Sequence, residues 1–374
     1  MNRRGNEPPI MTDDPLPCIA QAPALTNSLQ AHPYPRQDPL TSIGTNSSMP
    51  CQVYTLSEAT VKTATLMITL FAASIATAQA PKHEFGLNLH KITVDGLERT
   101  YRLVVPPNAP KPMPLVMVLH GGGFGERGAR HVIGYTQFTR IALREKFIVV
   151  YPMGIDGNWN DGREAESIRA HREDVDDVKF LRAVVNEVAS KYTTDQARVF
   201  STGISNGGFM SHRLAAEASD LVAGIAPVAG GMSPLLAKRF DPDHPVSVFI
   251  IQGDADPMIP IAGGIVGRRN RETRGSTIST ESIVELYKKQ NRHSGKPKMA
   301  TLPNVAPEDE TTTQRWTYPR GRGGVKLQVD IIKNGGHTWP GKKPYMTERL
   351  IGKTSRDYDA TEAIWEFFKS CPPR

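Results

Sequence analysis

The chain has 374 residues, 39% of them hydrophobic and 7% aromatic, with 32 Gly, 30 Pro and 3 Cys. Length and apolar fraction exclude disorder throughout and support two domains or one large α/β domain, while three scattered cysteines exclude a disulfide-stapled mini-protein. Against 38 acidic residues stand 45 basic ones, a net charge of +7 that invites an anionic partner without naming one.

Residues 1–48 carry repeated prolines among Asn, Ser, Thr and Gln with no sustained periodicity, and are expected to be unstructured. From Met49 a polar stretch containing Lys62 leads into the apolar run Leu66 to Ala76, followed by small residues through Ala80. This is a secretory signal pattern over 49–80, with Ala76-Thr77-Ala78 and Ala78-Gln79-Ala80 as cleavage candidates. The run is too short to span a bilayer comfortably, so no stable membrane anchor is expected after cleavage, and the protein is expected to be secreted or periplasmic. A signal should begin near the start of its protein, which makes Met49 the expected initiator and 1–48 an upstream extension. Residues 1–80 hold four basic and five acidic side chains, so the remainder carries +8, and Cys371 is its single cysteine.

Residues 81–374 are read as one catalytic domain. Apolar, β-branched runs bounded by Gly or Pro predict strands over 101–105, 115–119, 147–151, 198–202, 223–229, 246–252 and 327–333. Helical spacing predicts helices over 135–145, 175–192, 209–217, 280–290 and 361–370, with acidic Glu173, Asp174, Asp176 and Asp177 suited to a helix N-terminus. Strands and helices in alternation imply a mostly parallel sheet covered on both faces. The glycine-rich, basic stretch 261–279 and the segment 303–313 read as solvated surface loops.

After the strand ending at Thr202 comes Gly203-Ile204-Ser205-Asn206-Gly207, and a helical pattern follows. G-x-S-x-G between strand and helix is the nucleophile elbow, a turn so tight that the positions flanking the serine must lack bulk. A serine hydroxyl needs a base and an orienting acid. In the chain order Ser, acid, His, the loop after the next strand offers Asp254 and Asp256, and the loop after the last offers His337 in Gly335-Gly336-His337. His293 also follows the acids but lies in a polar segment, as a surface residue would. The oxyanion donors are expected from the backbone N–H of Asn206 and from Gly122 in Leu119-His120-Gly121-Gly122-Gly123, an HGGG-type loop. That loop spells neither dinucleotide nor P-loop fingerprints, and no nucleic-acid motif stands out. His120 reads as a structural hydrogen-bonding residue. No metal or organic cofactor is required by these roles, and His171 and Asp174 lack a convincing ligand constellation.

From about Thr100 to Phe368 the chain resembles the secreted polyhydroxybutyrate depolymerase-like esterases, a group of α/β-hydrolases that shades into feruloyl and acetyl xylan esterases. The resemblance rests on LHGGG at 119–123, YPMG at 151–154, WNDGR at 159–163, DVDDVKFLRAV at 174–184, GISNGGFM at 203–210, QGDADPMIP at 252–260 and GGHTWPG at 335–341. It implies an α/β-hydrolase fold and a serine esterase working through an acyl-enzyme, and it places the triad acid on Asp256, with Gln252 standing where the family usually has His. It implies as partner an ester substrate, a polyester oligomer or, alternatively, an esterified plant cell-wall polysaccharide. Trp159 and Trp339, in motif loops, are candidates to line the substrate site. A hydrolase-fold binding protein without catalysis would lack a triad member, and a serine peptidase is a further reading.

Overall fold

Runs such as Leu115-Val116-Met117-Val118-Leu119 have apolar side chains at every position, so they bury both faces and demand cover above and below. The computed structural model describes residues 87–123, 125–267 and 274–374, and the expected unstructured segment 1–48 and signal segment 49–80 lie outside them. Seven strands come first, β1 (Asn88–Val94), β2 (Leu97–Val104), β3 (Met113–Leu119), β4 (Ile148–Pro152), β5 (Thr194–Ile204), β6 (Gly224–Val228) and β7 (Ser247–Gly253). After them come a small hairpin, β8 (Gly264–Ile265) with β9 (Ser276–Thr277), and then β10 (Lys298–Thr301), β11 (Thr312–Thr317) and β12 (Leu327–Lys333). The large sheet has the order β1-β2-β4-β3-β5-β6-β7-β12-β11-β10. From β4 to β12 all pairings are parallel, and the outer strands pair antiparallel at both edges.

The helices are α1 (Gly128–Thr136), α2 (Phe138–Glu145), α3 (Arg169–Arg172), α4 (Asp177–Lys191), α5 (Asn206–Glu217), α6 (Pro234–Lys238), α7 (Thr280–Gln290), α8 (Glu348–Ile351) and α9 (Ala360–Lys369). The start of α4 is fixed by Asp176, whose side chain accepts from Lys179 N at 2.8 Å. The α4, α5 and α7 side chains Val184, Leu214 and Ile283 join Leu115 and Met117 in one core layer. On the other face Val132, Ile141 and Phe368, from α1, α2 and α9, pack on Val116 and Val118. The described residues all lie in a single compact unit. Cys371 is buried and unbridged, and burial pushes its thiol up to about 11.

Register decides where the loops emerge. Leu119 pairs with Gly203, so the chain leaves β3 and β5 side by side, and Gly253 pairs with Ile332, so the loops after β7 and β12 are likewise neighbours. All four leave the C-terminal ends of parallel strands, where open α/β sheets carry their sites.

Three expectations are corrected here. The helix read over 135–145 is two helices, broken where Gln137 takes φ 61°. The stretch 261–279 is not merely a solvated loop, since Val266 and Arg274 line the cavity that Ser205 and His337 share, while residues 268–273 lie outside the described set. His293 is buried, because the segment after β11 packs on its ring: Nδ1 is bonded to Pro319 O at 2.7 Å, and a Cβ on Gly321 would come within 3.1 Å of it.

Candidate active site

Ser205 sits between β5 and α5 with φ 58° and ψ −121°, a conformation an L-residue adopts only when its surroundings force it. Its N–H donates to Val228 O at 3.0 Å, and its carbonyl accepts from Phe209 N at 2.9 Å. The flanking glycines follow from close approach: a Cβ on Gly203 would lie 2.6 Å from Leu119 O, and one on Gly207 would lie 2.4 Å from the same oxygen. Elbow and HGGG-type loop are thus pressed together, and Gly121, Gly122, Ser205 and Asn206 line one cavity of about 340 Å³. As the first residue of α5, Asn206 has a backbone N–H without an intrahelical acceptor.

His337 reaches the same cavity from the loop after β12. It is buried, and its Nδ1 lies 2.8 Å from Asp256 Oδ2. Asp256 has further donors: Met258 N and Ile259 N donate to Oδ1 at 2.7 and 2.8 Å, and Gln252 Nε2 lies 3.3 Å from Oδ2. Asp254 instead accepts from Asn334 N at 2.7 Å and pairs with Lys333, tying the β7 and β12 loops together without contacting the histidine. Ser205 and His337 thus line one cavity, and Asp256 stands behind the imidazole.

His120 lies beneath the HGGG-type loop. Gly154 N donates to its Nε2 at 3.0 Å, which leaves the proton on Nδ1, 2.9 Å from Gly121 O. Burial lowers its pKa to about 4, so the ring is neutral at ordinary pH. A Cβ on Gly128 would come within 2.8 Å of that ring, so the start of α1 is packed onto it.

The two tryptophans do not line the cavity. Trp159 is fully buried with Nε1 donating to His120 O at 3.0 Å, and Trp339 is fully buried with Nε1 donating to Thr361 Oγ1 at 3.0 Å. Their loops belong to the site, but both rings turn into the core, which corrects the expectation drawn from their place in the motifs. The aromatic part of the wall comes from His131, Tyr135 and Tyr345, packed on one another with centroids 5.4 to 5.7 Å apart. Ile168, Met258, Ile259 and Val266 give the wall aliphatic character elsewhere. These residues went unread because they come from segments far apart in sequence; the β-loop position of Met258 and Ile259, two and three residues past Asp256, is the one signal that pointed to them.

Among the described residues, no group of three or more His, Cys, Asp and Glu is placed to hold a metal. No described helix is long and apolar enough to cross a membrane.

Fold and site together define an α/β-hydrolase of the serine ester hydrolase class. The chain is 32% identical over 286 residues, 74% of its length, to the putative esterase NocK of Nocardia uniformis subsp. tsuyamanensis, covering 81% of that protein. It belongs to this esterase family, the polyhydroxybutyrate depolymerase-like and feruloyl esterase-like α/β-hydrolases, and is a carboxylic ester hydrolase. It is 26% identical to feruloyl esterase B of Piromyces equi over 59% of its length and 42% of that protein's. With poly(3-hydroxyalkanoate) depolymerase C of Paucimonas lemoignei it shares 32% identity over 34% of its length and 30% of that protein's. The chain thus spans less than half the length of these last two relatives. Residues 137–241, which include the elbow but neither Asp256 nor His337, match the prolyl oligopeptidase family. Among solved structures, an acetyl xylan esterase from Aspergillus awamori superposes with a TM-score of 0.50 over 75% of this chain and 99% of that one, at 17% identity, a likeness of fold.

Proposed function

We propose that Ser205 is the nucleophile, His337 the base and Asp256 the acid of an acyl-serine mechanism, with the Gly122 and Asn206 amides as oxyanion hole. The observation that carries this is the 2.8 Å contact from His337 Nδ1 to Asp256, with the ring sharing a cavity with a serine at positive φ. His337 Nε2 takes the Ser205 proton as Oγ attacks the ester carbonyl, and the two amides hold the oxyanion that forms. The same imidazole returns the proton to the departing alkoxide, which leaves as alcohol. Water, deprotonated by His337, then attacks the acyl-serine, releasing the acid and restoring Ser205. Ser205→Ala beside wild type on p-nitrophenyl butyrate tests the assignment: turnover should fall by about 10³-fold or more, and equal rates would sink it.

The substrate reading follows the wall. An aliphatic surface from Ile168, Met258, Ile259 and Val266 favours the acyl part of an oligo- or poly-hydroxyalkanoate ester. The three-ring cluster of His131, Tyr135 and Tyr345 favours the second reading, a feruloyl or acetyl xylan esterase whose substrate brings an aromatic or sugar face. Comparing kcat/KM on 3-hydroxybutyrate oligomers, methyl ferulate and acetylated xylan separates them, and turnover of ferulate alone would overturn the first. We also infer export to the periplasm or medium through the signal pattern of residues 49–80, with 81–374 as the catalytic domain; sequencing the N-terminus of the exported protein checks it, and a protein retained in the cytoplasm overturns it.

A further inference from the structure

The amides of Gly122 and Asn206 belong to loops that follow different strands, yet one short segment between β4 and α3 grips both. On the Gly122 side, Gly123 N donates to Gly157 O at 3.2 Å and Trp159 Nε1 to His120 O at 3.0 Å. On the other side the buried Asn206 side chain is held at three points: Oδ1 accepts from Trp159 N at 2.8 Å, while Nδ2 donates to Trp159 O at 3.1 Å and to Asp161 Oδ2 at 2.6 Å. The side chain of the residue after the nucleophile therefore faces away from substrate and serves as a peg.

We propose that Asp161 is a positioning residue for the oxyanion hole, acting through the Asn206 side chain to fix the Asn206 backbone N–H. A charged hydrogen bond of 2.6 Å is the strongest of the three restraints. An uncompensated carboxylate so near the hole would oppose the negative charge that forms there. Arg163 removes that conflict: Nη2 lies 2.7 Å from Oδ2 and Nε 3.0 Å from both oxygens, and its guanidinium sits 4.2 Å over the ring of Phe209 in the first turn of α5. His171 Nε2 adds a contact to Oδ1 at 3.4 Å. The clasp is thus strong locally and nearly neutral seen from the cavity.

The proposal rests on the acyl-serine reading, and the test keeps the two apart. Asn206→Ala retains the donor N–H and removes only the peg; Asp161→Ala removes the clasp. With p-nitrophenyl butyrate, each should lower kcat about 10- to 100-fold while KM stays within about threefold, since a displaced donor loses part of what a deleted one loses. Affinity for a trifluoromethyl ketone, whose tetrahedral adduct places an oxyanion in the hole, should fall by the same factor. The double variant should be no worse than the poorer single, because both break one device. If Asp161→Ala does not fold, Asn206→Ala carries the kcat and ketone tests alone. Folded variants that keep kcat within threefold overturn the proposal, as does lost activity with unchanged ketone affinity. If wild type is not labelled at Ser205 by a fluorophosphonate, the acyl-serine reading itself has failed; labelled wild type with fully active variants sinks only the clasp.

Discussion

Two buried aspartates stand behind residues that line the cavity, and their partners differ in kind. Asp161, behind Asn206, is gripped by the guanidinium of Arg163. Asp256, behind His337, is held by two backbone amides, the Gln252 amide and the imidazole, and among the described residues no Lys or Arg lies within ion-pair distance of it. On the proposed roles, the difference follows from the charge each must face. Beside a forming oxyanion, a carboxylate is harmful unless a fixed cation cancels it. Beside a base that becomes imidazolium, a carboxylate already cancelled by guanidinium would lose most of its use, so neutral donors hold it in place and leave its charge for the ring.

The largest expected effect breaks the Asp256 side of that contrast. Asp256→Asn keeps the shape but presents an amide that can favour the wrong imidazole tautomer and cannot balance the imidazolium. We expect kcat on p-nitrophenyl butyrate to fall by about 10³- to 10⁴-fold, with thermal stability changed little. Loss below tenfold would show that Asp256 is not the acid; parallel measurement of Asp254→Asn, expected to stay near wild type, guards against assigning the role to the wrong neighbour.

The second breaks the Asp161 side. Burial alone would raise the Asp161 pKa, but Arg163, His171 and the Asn206 amide outweigh it and hold the carboxyl below its usual range. A depressed folded value contributes stability that is present above the unfolded value and lost as pH falls through the folded one. Arg163→Met removes the largest opposing charge: desolvation then outweighs what His171 and the Asn206 amide still supply, the folded value rises, and ionisation at neutral pH becomes a burden. Denaturant unfolding should show a loss of about 3–5 kcal/mol at pH 7 that shrinks as pH approaches 4 and Asp161 takes up a proton. A penalty independent of pH would mean that lost packing on Phe209, not charge, explains it.

How much of this was open to sequence reading follows from what each feature demands of a residue. The inner strands β3 to β7 and β12 were legible because a strand buried on both faces must be apolar at nearly every position. The edges were not: β10 is exposed throughout and β1 and β11 only half-buried, so nothing in their composition sets them apart from loops. The elbow at Ser205 was legible because its turn excludes any side chain at Gly203 and Gly207, and the meeting of Asp256 with His337 because strand order makes their loops neighbours. The role of Asp161 was hidden, since its motif gives the residue but not the partner 45 positions away. Trp159 and Trp339 misled for a related reason: a motif places a loop at the site without saying which way a ring in it turns.

The smallest effect concerns Gln252, the position at which this chain departs from the family pattern. Beyond a long contact to Gly253 O at 3.5 Å, its Nε2 reaches Ile259 O at 3.0 Å and Asp256 Oδ2 at 3.3 Å, and so ties Asp256 to the strand that carries it and to the turn beyond. Gln252→His supplies one N–H on each ring nitrogen at most, in different directions, so it can keep one of these contacts but not both from a single atom. Because two backbone amides already fix Oδ1, the acid should keep its place, and kcat should change by less than about threefold, within the about 1 kcal/mol a typical hydrogen bond contributes. Gln252→Leu sharpens the comparison by removing the donor outright: the carboxylate loses a partner where no guanidinium stands by, and kcat should fall roughly tenfold. If Gln252→Leu were as active as wild type, Asp256 would be held by its amides alone, and the contrast with Asp161 would reduce to the presence or absence of arginine.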